Sequence, residues 1–186
     1  MFDVYKIPSA WVDYLTQIQQ EYPQAVLGGG CLRDLYHDKE VKDVDIFIPN
    51  STECSQDFLD AYSDTITAKL SDYNGFANQD VSCVLTMNND IKSELIFITT
   101  PTAIERFDFG ICQIQFDGKS LLYSDHFMND VTNKTFTLVR CDNSKQYDRS
   151  MTRYERLLQK YPNYKFVNRS SYRPRSFWTD KLDITL

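Results

Sequence analysis

Apolar residues recur at helical spacing from Trp11 through Leu15 to Ile18. With Ser9 as a candidate N-cap and Pro23 as a stop, they predict a first helix. Residues 24–27 (Gln-Ala-Val-Leu) are a short buried-type run and predict a strand running into Gly28-Gly29-Gly30. A short helix is expected over 31–38. Residues 43–49 alternate and predict a strand ended by Pro49. The polar stretch beyond leads into a helix expected over about 55–72. Strands are expected over 81–87 and 94–99, around a turn at Asn88-Asn89-Asp90, and one or two helical turns over 101–107. Further strands are expected over 109–116, closed by Asp117-Gly118, and over 134–140. The segment 144–161 reads as a helix with Met151, Tyr154, Leu157, Leu158 and Tyr161 on its apolar side. Residues 168–186 read as an extended polar tail. Strands and helices mix without regular βα alternation. The expected fold class is therefore α+β, a small mixed β-sheet flanked by helices.

Composition narrows this picture. The chain has 186 residues, 42% hydrophobic and 25% charged, which suits one soluble globular domain and excludes a disordered tail or a disulfide miniprotein. The 12 Phe and 12 Tyr supply bulk for its core. Net charge is −6 but uneven. Residues 1–140 carry 10 Lys+Arg against 21 Asp+Glu, and residues 141–186 carry 10 against 5. An acidic body thus precedes a basic final quarter, a pairing that suits metal-holding carboxylates beside phosphate-holding cations. The five cysteines show no CxxC and there are only two histidines, which argues against a zinc site. The opening residues do not form a signal peptide and no run approaches a membrane span, so reduced thiols in cytoplasm are expected.

The chemistry concentrates in residues 26–48. A strand ends in Gly28, Gly29 and Gly30, and a helix begins. Glycine lets backbone N–H groups approach a phosphate closely, and a helix N-terminus favours that anion. Asp43 and Asp45 are two apart on a predicted strand, so both point to one face while Val44, Ile46 and Ile48 point to the core. Two adjacent carboxylates repel unless a cation compensates them. Mg²⁺ commonly takes one or two carboxylates together with substrate phosphates. A phosphate cradle beside a carboxylate pair is a site for a metal-bound nucleoside triphosphate.

Gly29-Gly30, Arg33-Asp34 and Asp43-Val44-Asp45-Ile46 together resemble the signature of the DNA polymerase β-type nucleotidyltransferase superfamily. The segment is most similar to the head domain of class II tRNA CCA-adding enzymes and poly(A) polymerases, whose pattern is GGxVRDxLLGRxxxDxD. Leu32 stands for the Val, and the step from Asp34 to Asp43 is kept; the LLGR portion is not. Glu94-Leu95-Ile96-Phe97 resembles a later family strand that opens with an acidic residue. Arg106-Phe107-Asp108 resembles the family's RRD segment, with one Arg replaced by Phe. Arg153 and Arg156 fit the last two positions of an arginine-studded helix, with Ser150 at the first and Arg149 a candidate substitute. The likeness spans about residues 22–161 and extends to short phage-encoded relatives that end soon after a KYP-like segment, here Lys160-Tyr161-Pro162. A base-selecting EDxxR-like motif is not found.

The resemblance implies a nucleotidyltransferase head domain over 1–140, an Arg-rich helix over 141–167 completing the nucleotide site, and a basic, aromatic tail over 168–186. It implies catalytic Asp43 and Asp45 with Glu94 or Asp108 as third carboxylate. Asp43, Asp45 and Asp108 would hold Mg²⁺ or Mn²⁺. Gly28, Gly29, Gly30, Arg33, Asp34, Arg106, Arg149, Arg153 and Arg156 would bind the nucleotide. The implied reaction moves NMP from an NTP to an acceptor hydroxyl, foremost an RNA 3′ end, and releases pyrophosphate. The tail, with Arg, Tyr, Phe and Trp interleaved, has the composition of a single-strand stacking platform. The alternatives are NMP transfer to a protein hydroxyl, and a module that binds nucleotide or partner without turnover. No membrane partner is expected. The implied location is cytoplasmic, in the host cytoplasm if the chain is phage-encoded.

Overall fold

The computed structural model of the chain describes residues 4–51, 53–70 and 80–173. Residues 174–186, most of the expected tail, lie outside the described residues. Helix α1 (Ser9–Glu21) packs Leu15 and Ile18 into the core and begins one residue after its cap, Pro8. Strand β1 (Val26–Gly28) passes into helix α2 (Gly30–Tyr36), followed by β2 (Val44–Ile48). Helix α3 (Gln56–Ala61) is short, capped by the Ser55 side chain on the Phe58 N–H. Part of the helix expected over 55–72 is instead strand β3 (Ile66–Leu70), and residues 71–72 lie outside the described residues. The β-branched run Thr65-Ile66-Thr67 favours a pleated edge over a helix.

Strands β4 (Val81–Met87) and β5 (Ser93–Ile98) form the expected antiparallel pair. Residues 109–116 depart from the expected strand. Gly110–Cys112 form a 3₁₀ turn and only Ile114–Phe116 are strand, β6. The departure has a cause 19 residues further on: the buried Asp130 carboxylate accepts the Ile111 N–H at 2.8 Å and bends the run away from a ladder. Strand β7 (Leu121–Tyr123) and helix α4 (Asp125–Asn133) follow, then β8 (Thr135–Leu138), α5 (Ser144–Lys160) and β9 (Lys165–Asn168). Strand β9 begins where the sequence pattern suggested no element and runs into the expected tail.

Seven strands form one mixed sheet in the order β3-β4-β5-β2-β1-β6-β7, while β8 and β9 pair in parallel as a separate ribbon. The main core lies on one face of the sheet. Leu15, Ile18, Leu27, Ile46, Phe97 and Phe116 meet there, each almost fully buried. A second core of Phe109, Ile111, Phe136, Leu138, Leu157 and Tyr161 fastens α5 and the β8–β9 ribbon beside the sheet. This placement sets α5 over the face that carries Asp45. The observed α+β architecture is the expected one.

Candidate active site

Asp45 and Glu94 sit directly opposite each other across the parallel β2–β5 ladder. Alternation along each strand sends Val44, Ile46, Leu95 and Phe97 into buried positions and leaves Asp45 and Glu94 on the other face. Asp43 lies just before β2 and is exposed, two residues from Asp45 and so of the same alternation. Burial first, and then the charges of Glu94 and Asp43, push the Asp45 carboxyl up to about 7, while Arg153 and Arg33 pull it back. Glu94 is also raised, by burial and then by Asp43.

Asp45 and Glu94 face a cavity of about 310 Å³. Its lining includes Gly30 and Arg33 of α2, and Arg149, Ser150 and Arg153 of α5. Phe47, Val84 and Ile96 supply an apolar wall, and Arg106 and Arg140 further cations. Arg33 is nearly buried; its guanidinium pairs with Asp34 at 2.6 Å and donates to the Cys112 sulfur at 3.2 Å. Arg153 pairs with Asp108 at 2.5 Å, and Ser150 donates to the other Asp108 oxygen at 2.7 Å. The Asp108 charge, set against a smaller cost of burial, holds the Arg153 guanidinium above its ordinary range.

Several expected site residues thus take distinct places. Asp45 and Glu94 come together, with burial and then the Asp43 charge raising the pKa of both, whereas Asp108 spends both oxygens on Arg153, Ser150 and the Phe109 N–H. Asp34 does not line the cavity. It accepts from Arg33, Lys160 and Tyr161 and ties α2 to the end of α5. Of the three glycines, only Gly30 opens on the cavity. Gly29 has φ +71°, and a Cβ there would stand 2.8 Å from the Phe107 ring, so the turn requires glycine on two counts. Gly28 packs against the Phe47 ring. Arg156 is exposed and does not line the cavity. Sequence reasoning missed Arg140, which ends the expected 134–140 strand without any motif, and the apolar wall, which looks like ordinary core in sequence.

Among the described residues no three or more His, Cys, Asp and Glu side chains are grouped as a ready-made cage for a metal ion. Asp45 and Glu94 nevertheless stand as neighbouring carboxylates at an open cavity, each made harder to ionise by burial and like charge. A divalent cation completed by phosphate oxygens fits such a pair, the way Mg²⁺ is usually held.

Over residues 4–134, more than half of the chain, the sequence matches the family described as Gabija anti-defense 2 family protein. The chain belongs to the Gad2 family. No curated protein matches this Gad2 chain. Solved structures do match its fold. A Bacillus stearothermophilus CCA-adding enzyme in complex with CTP is 17% identical with TM-score 0.54, over 82% of this chain and 40% of that one. A CCA-adding enzyme with ATP is 14% identical with TM-score 0.57, over 87% and 40%. A tRNA nucleotidyltransferase with a primer tRNA and an incoming ATP analogue is 21% identical with TM-score 0.50, over 82% and 46%. The Gad2 chain therefore has a nucleotidyltransferase-like fold and spans less than half the length of these proteins. Among its described residues no helix is long and apolar enough to cross a membrane.

Proposed function

We propose that this Gad2 chain is a metal-dependent nucleotidyltransferase that moves NMP from an NTP to an acceptor hydroxyl. The observation that carries this reading is the in-register Asp45–Glu94 pair facing the Arg33 and Arg153 guanidiniums across one cavity. Asp43, Asp45 and Glu94 hold Mg²⁺ or Mn²⁺ in this reading; when bound, the metal supplies Lewis-acid polarisation of phosphate oxygens and of the attacking hydroxyl. The choice of Glu94 over Asp108 as third carboxylate rests on their surroundings. Glu94 has a carboxylate across the ladder, whereas Asp108 already has a cation.

In the transfer, the acceptor oxygen forms a bond to the α-phosphorus and the α–β bridging P–O bond breaks. Pyrophosphate leaves with the electron pair. The hydroxyl proton passes to a carboxylate of the Asp45–Glu94 pair. Arg33, Arg149 and Arg153 orient the triphosphate and stabilise the charge that moves to the leaving group. Their placement before the substrate arrives means that no reorganisation is needed at the moment of reaction. The acceptor classes supported by the fold are those of its relatives, RNA 3′ ends foremost. The family description, Gabija anti-defense, fits an enzyme that disables a component of a defence by nucleotidylation, so a protein hydroxyl stands as the second acceptor class.

The test incubates the protein with Mg²⁺ or Mn²⁺, each α-labelled NTP, and whole-cell RNA and protein. A labelled band that is lost in Asp43→Asn and Asp45→Asn supports the reading and identifies base and acceptor class. Metal-dependent nucleotide binding without any label transfer assigns a binding module instead.

A further inference from the structure

The cavity has two ends. Glu94 of β5 lines one end, and Val81, the register partner of Ile98 four positions further along β5, lines the other. Four residues of strand separate them, roughly 13 Å at the usual rise. Helix α5 runs the same way. Gln146, whose Oε1 accepts the N–H of Asp142 two residues after Arg140, lines the cavity, and Arg153 lines it near Arg33 and Asp45, about 10 Å further along the helix. The charged groups that act on Asp45 are Glu94, Asp43, Arg153 and Arg33. Arg106 and Arg140 are not among them; Arg106 feels Asp80 and Arg140 first and Arg153 after them, which sets it on the Arg140 side of Arg153. Asp80, the residue before β4, holds Arg140 there at 2.7 Å, and one Arg140 nitrogen reaches the Arg106 carbonyl at 3.4 Å. Phe47, Val84 and Ile96 form the apolar floor between the ends.

The far end has an unmet demand. Arg106 is largely buried, with its guanidinium carbon 5.6 Å above the Phe47 ring. Its Nε and Nη2 are buried without a hydrogen-bond partner among the described residues. Those two nitrogens are the side-on fork of a guanidinium, the edge that takes two oxygens of one phosphate. Burial and the neighbouring Arg140 and Arg153 charges press Arg106 down to about 10, and Asp80 and Asp108 offset them only in part. A neutral ligand, such as a base edge, leaves that excess of positive charge in place. An anion removes it.

We propose that Arg106 and Arg140 form a second phosphate subsite, separate from the triphosphate-binding end, that grips a phosphate of the acceptor. The acceptor is then a phosphate-bearing molecule, a nucleic-acid end or a free nucleotide, laid over the Phe47–Ile96 floor with its hydroxyl toward Asp45 and Glu94. Asp80 keeps Arg140 aligned in the empty subsite and competes mildly with the ligand. This inference rests on the nucleotidyltransferase reading for the direction of transfer, but not for the binding of the phosphate.

The test is equilibrium binding of two labelled probes, a 5′-phosphorylated dinucleotide and a nucleoside 5′-monophosphate. Each is titrated into the full chain with Mg²⁺, with and without a saturating α,β-methylene NTP. Arg140→Gln, at a residue 35% exposed, is the main variant, and Arg106→Gln the second. The expected result is that a probe binds beside the triphosphate analogue. Arg140→Gln should then weaken the probe about tenfold or more, as loss of a charged hydrogen bond does, with the analogue's affinity unchanged. Dinucleotide binding without monophosphate binding assigns a nucleic-acid end, and the converse assigns a free nucleotide. Equal weakening of probe and analogue, or no change in either, overturns the subsite. A wild type that binds the analogue but neither probe also overturns it and leaves the proposed function standing. Arginine-dependent probe binding with no analogue binding keeps the subsite and rejects the nucleotidyltransferase reading.

Discussion

Glu94 stands across the β2–β5 ladder from Asp45, and among the described residues no cation is paired with it as Arg153 is paired with Asp108. Two negative charges in one register position are costly on a sheet face unless something positive is shared between them. Glu94→Gln should therefore reduce NMP transfer as severely as Asp45→Asn, by about 100-fold or more. Thermal stability without metal should stay level or rise, because a repulsion has been removed. Asp108→Asn should show the reverse balance, with a loss of about 1–3 kcal/mol in urea unfolding as Arg153 and Ser150 lose their acceptor. Steady-state rates and urea midpoints for the three variants separate the roles. Near-normal turnover in Glu94→Gln would return the third carboxylate to Asp108.

Arg106 exposes no donor to water at its Nε and Nη2, and among the described residues neither has a hydrogen-bond partner. Arg106→Met keeps the stem over Phe47 and deletes the uncompensated charge. The ligand-free protein should become more stable by about 1–3 kcal/mol, the usual cost of an unsatisfied buried polar group. The stabilisation that phosphate-bearing ligands confer should shrink. Urea unfolding with and without ligand reads both effects.

Asp34 collects Arg33, Lys160 and the Tyr161 hydroxyl in a buried position. It joins the helix after the glycine turn to the end of α5. Asp34→Ala leaves Arg33 buried without its carboxylate and should cost about 3–5 kcal/mol. Tyr161→Phe removes one donor and should cost about 1 kcal/mol. A loss in Asp34→Ala no larger than in Tyr161→Phe would show that the anchor is not the ion pair.

His37 places Nδ1 2.8 Å from the Arg33 carbonyl and Nε2 2.8 Å from the Tyr164 hydroxyl. A carbonyl only accepts, so Nδ1 carries the proton and Nε2 accepts from Tyr164. Burial lowers the His37 pKa from its ordinary value, outweighing the Arg33 carbonyl bond. Its contribution to stability is therefore complete above the unfolded-state value of about 6.5 and declines as pH falls toward the lower folded value. Urea midpoints of the wild type and His37→Asn from pH 8 to pH 5 isolate this slope by difference. The subtraction is needed because Asp45, with its raised pKa, acts with the opposite sign. Identical slopes in the two proteins would refute the His37 assignment.

Much of the fold was legible in local pattern. The helices at α1 and α5, the β4–β5 pair and the β1–α2–β2 segment follow apolar periodicity and glycine placement, because each buries one face, α5 against the second core and the others against the main one. Legibility failed where a distant residue decided the backbone. Residues 110–112 coil because Asp130, far along the chain, takes the Ile111 N–H. Strand β9 exists because β8 offers it a parallel edge. Residues 66–70 are strand because β4 pairs with them.

The site divides in the same way. Sequence by itself determined the chemistry on β2: a period of two puts Asp43 and Asp45 on one face and Val44, Ile46 and Ile48 on the other, whatever the rest of the chain does. It also placed arginines at helical spacing on α5. Tertiary structure alone decided which groups those side chains meet. Parallel pairing set Glu94 opposite Asp45, the second core swung α5 so that Arg153 met Asp108, and Asp80 came beside Arg140 from 60 residues away. Side-chain direction is a local property of the backbone. Which charges become neighbours, and which donors are left buried without an acceptor, depends on long-range packing that no local pattern encodes.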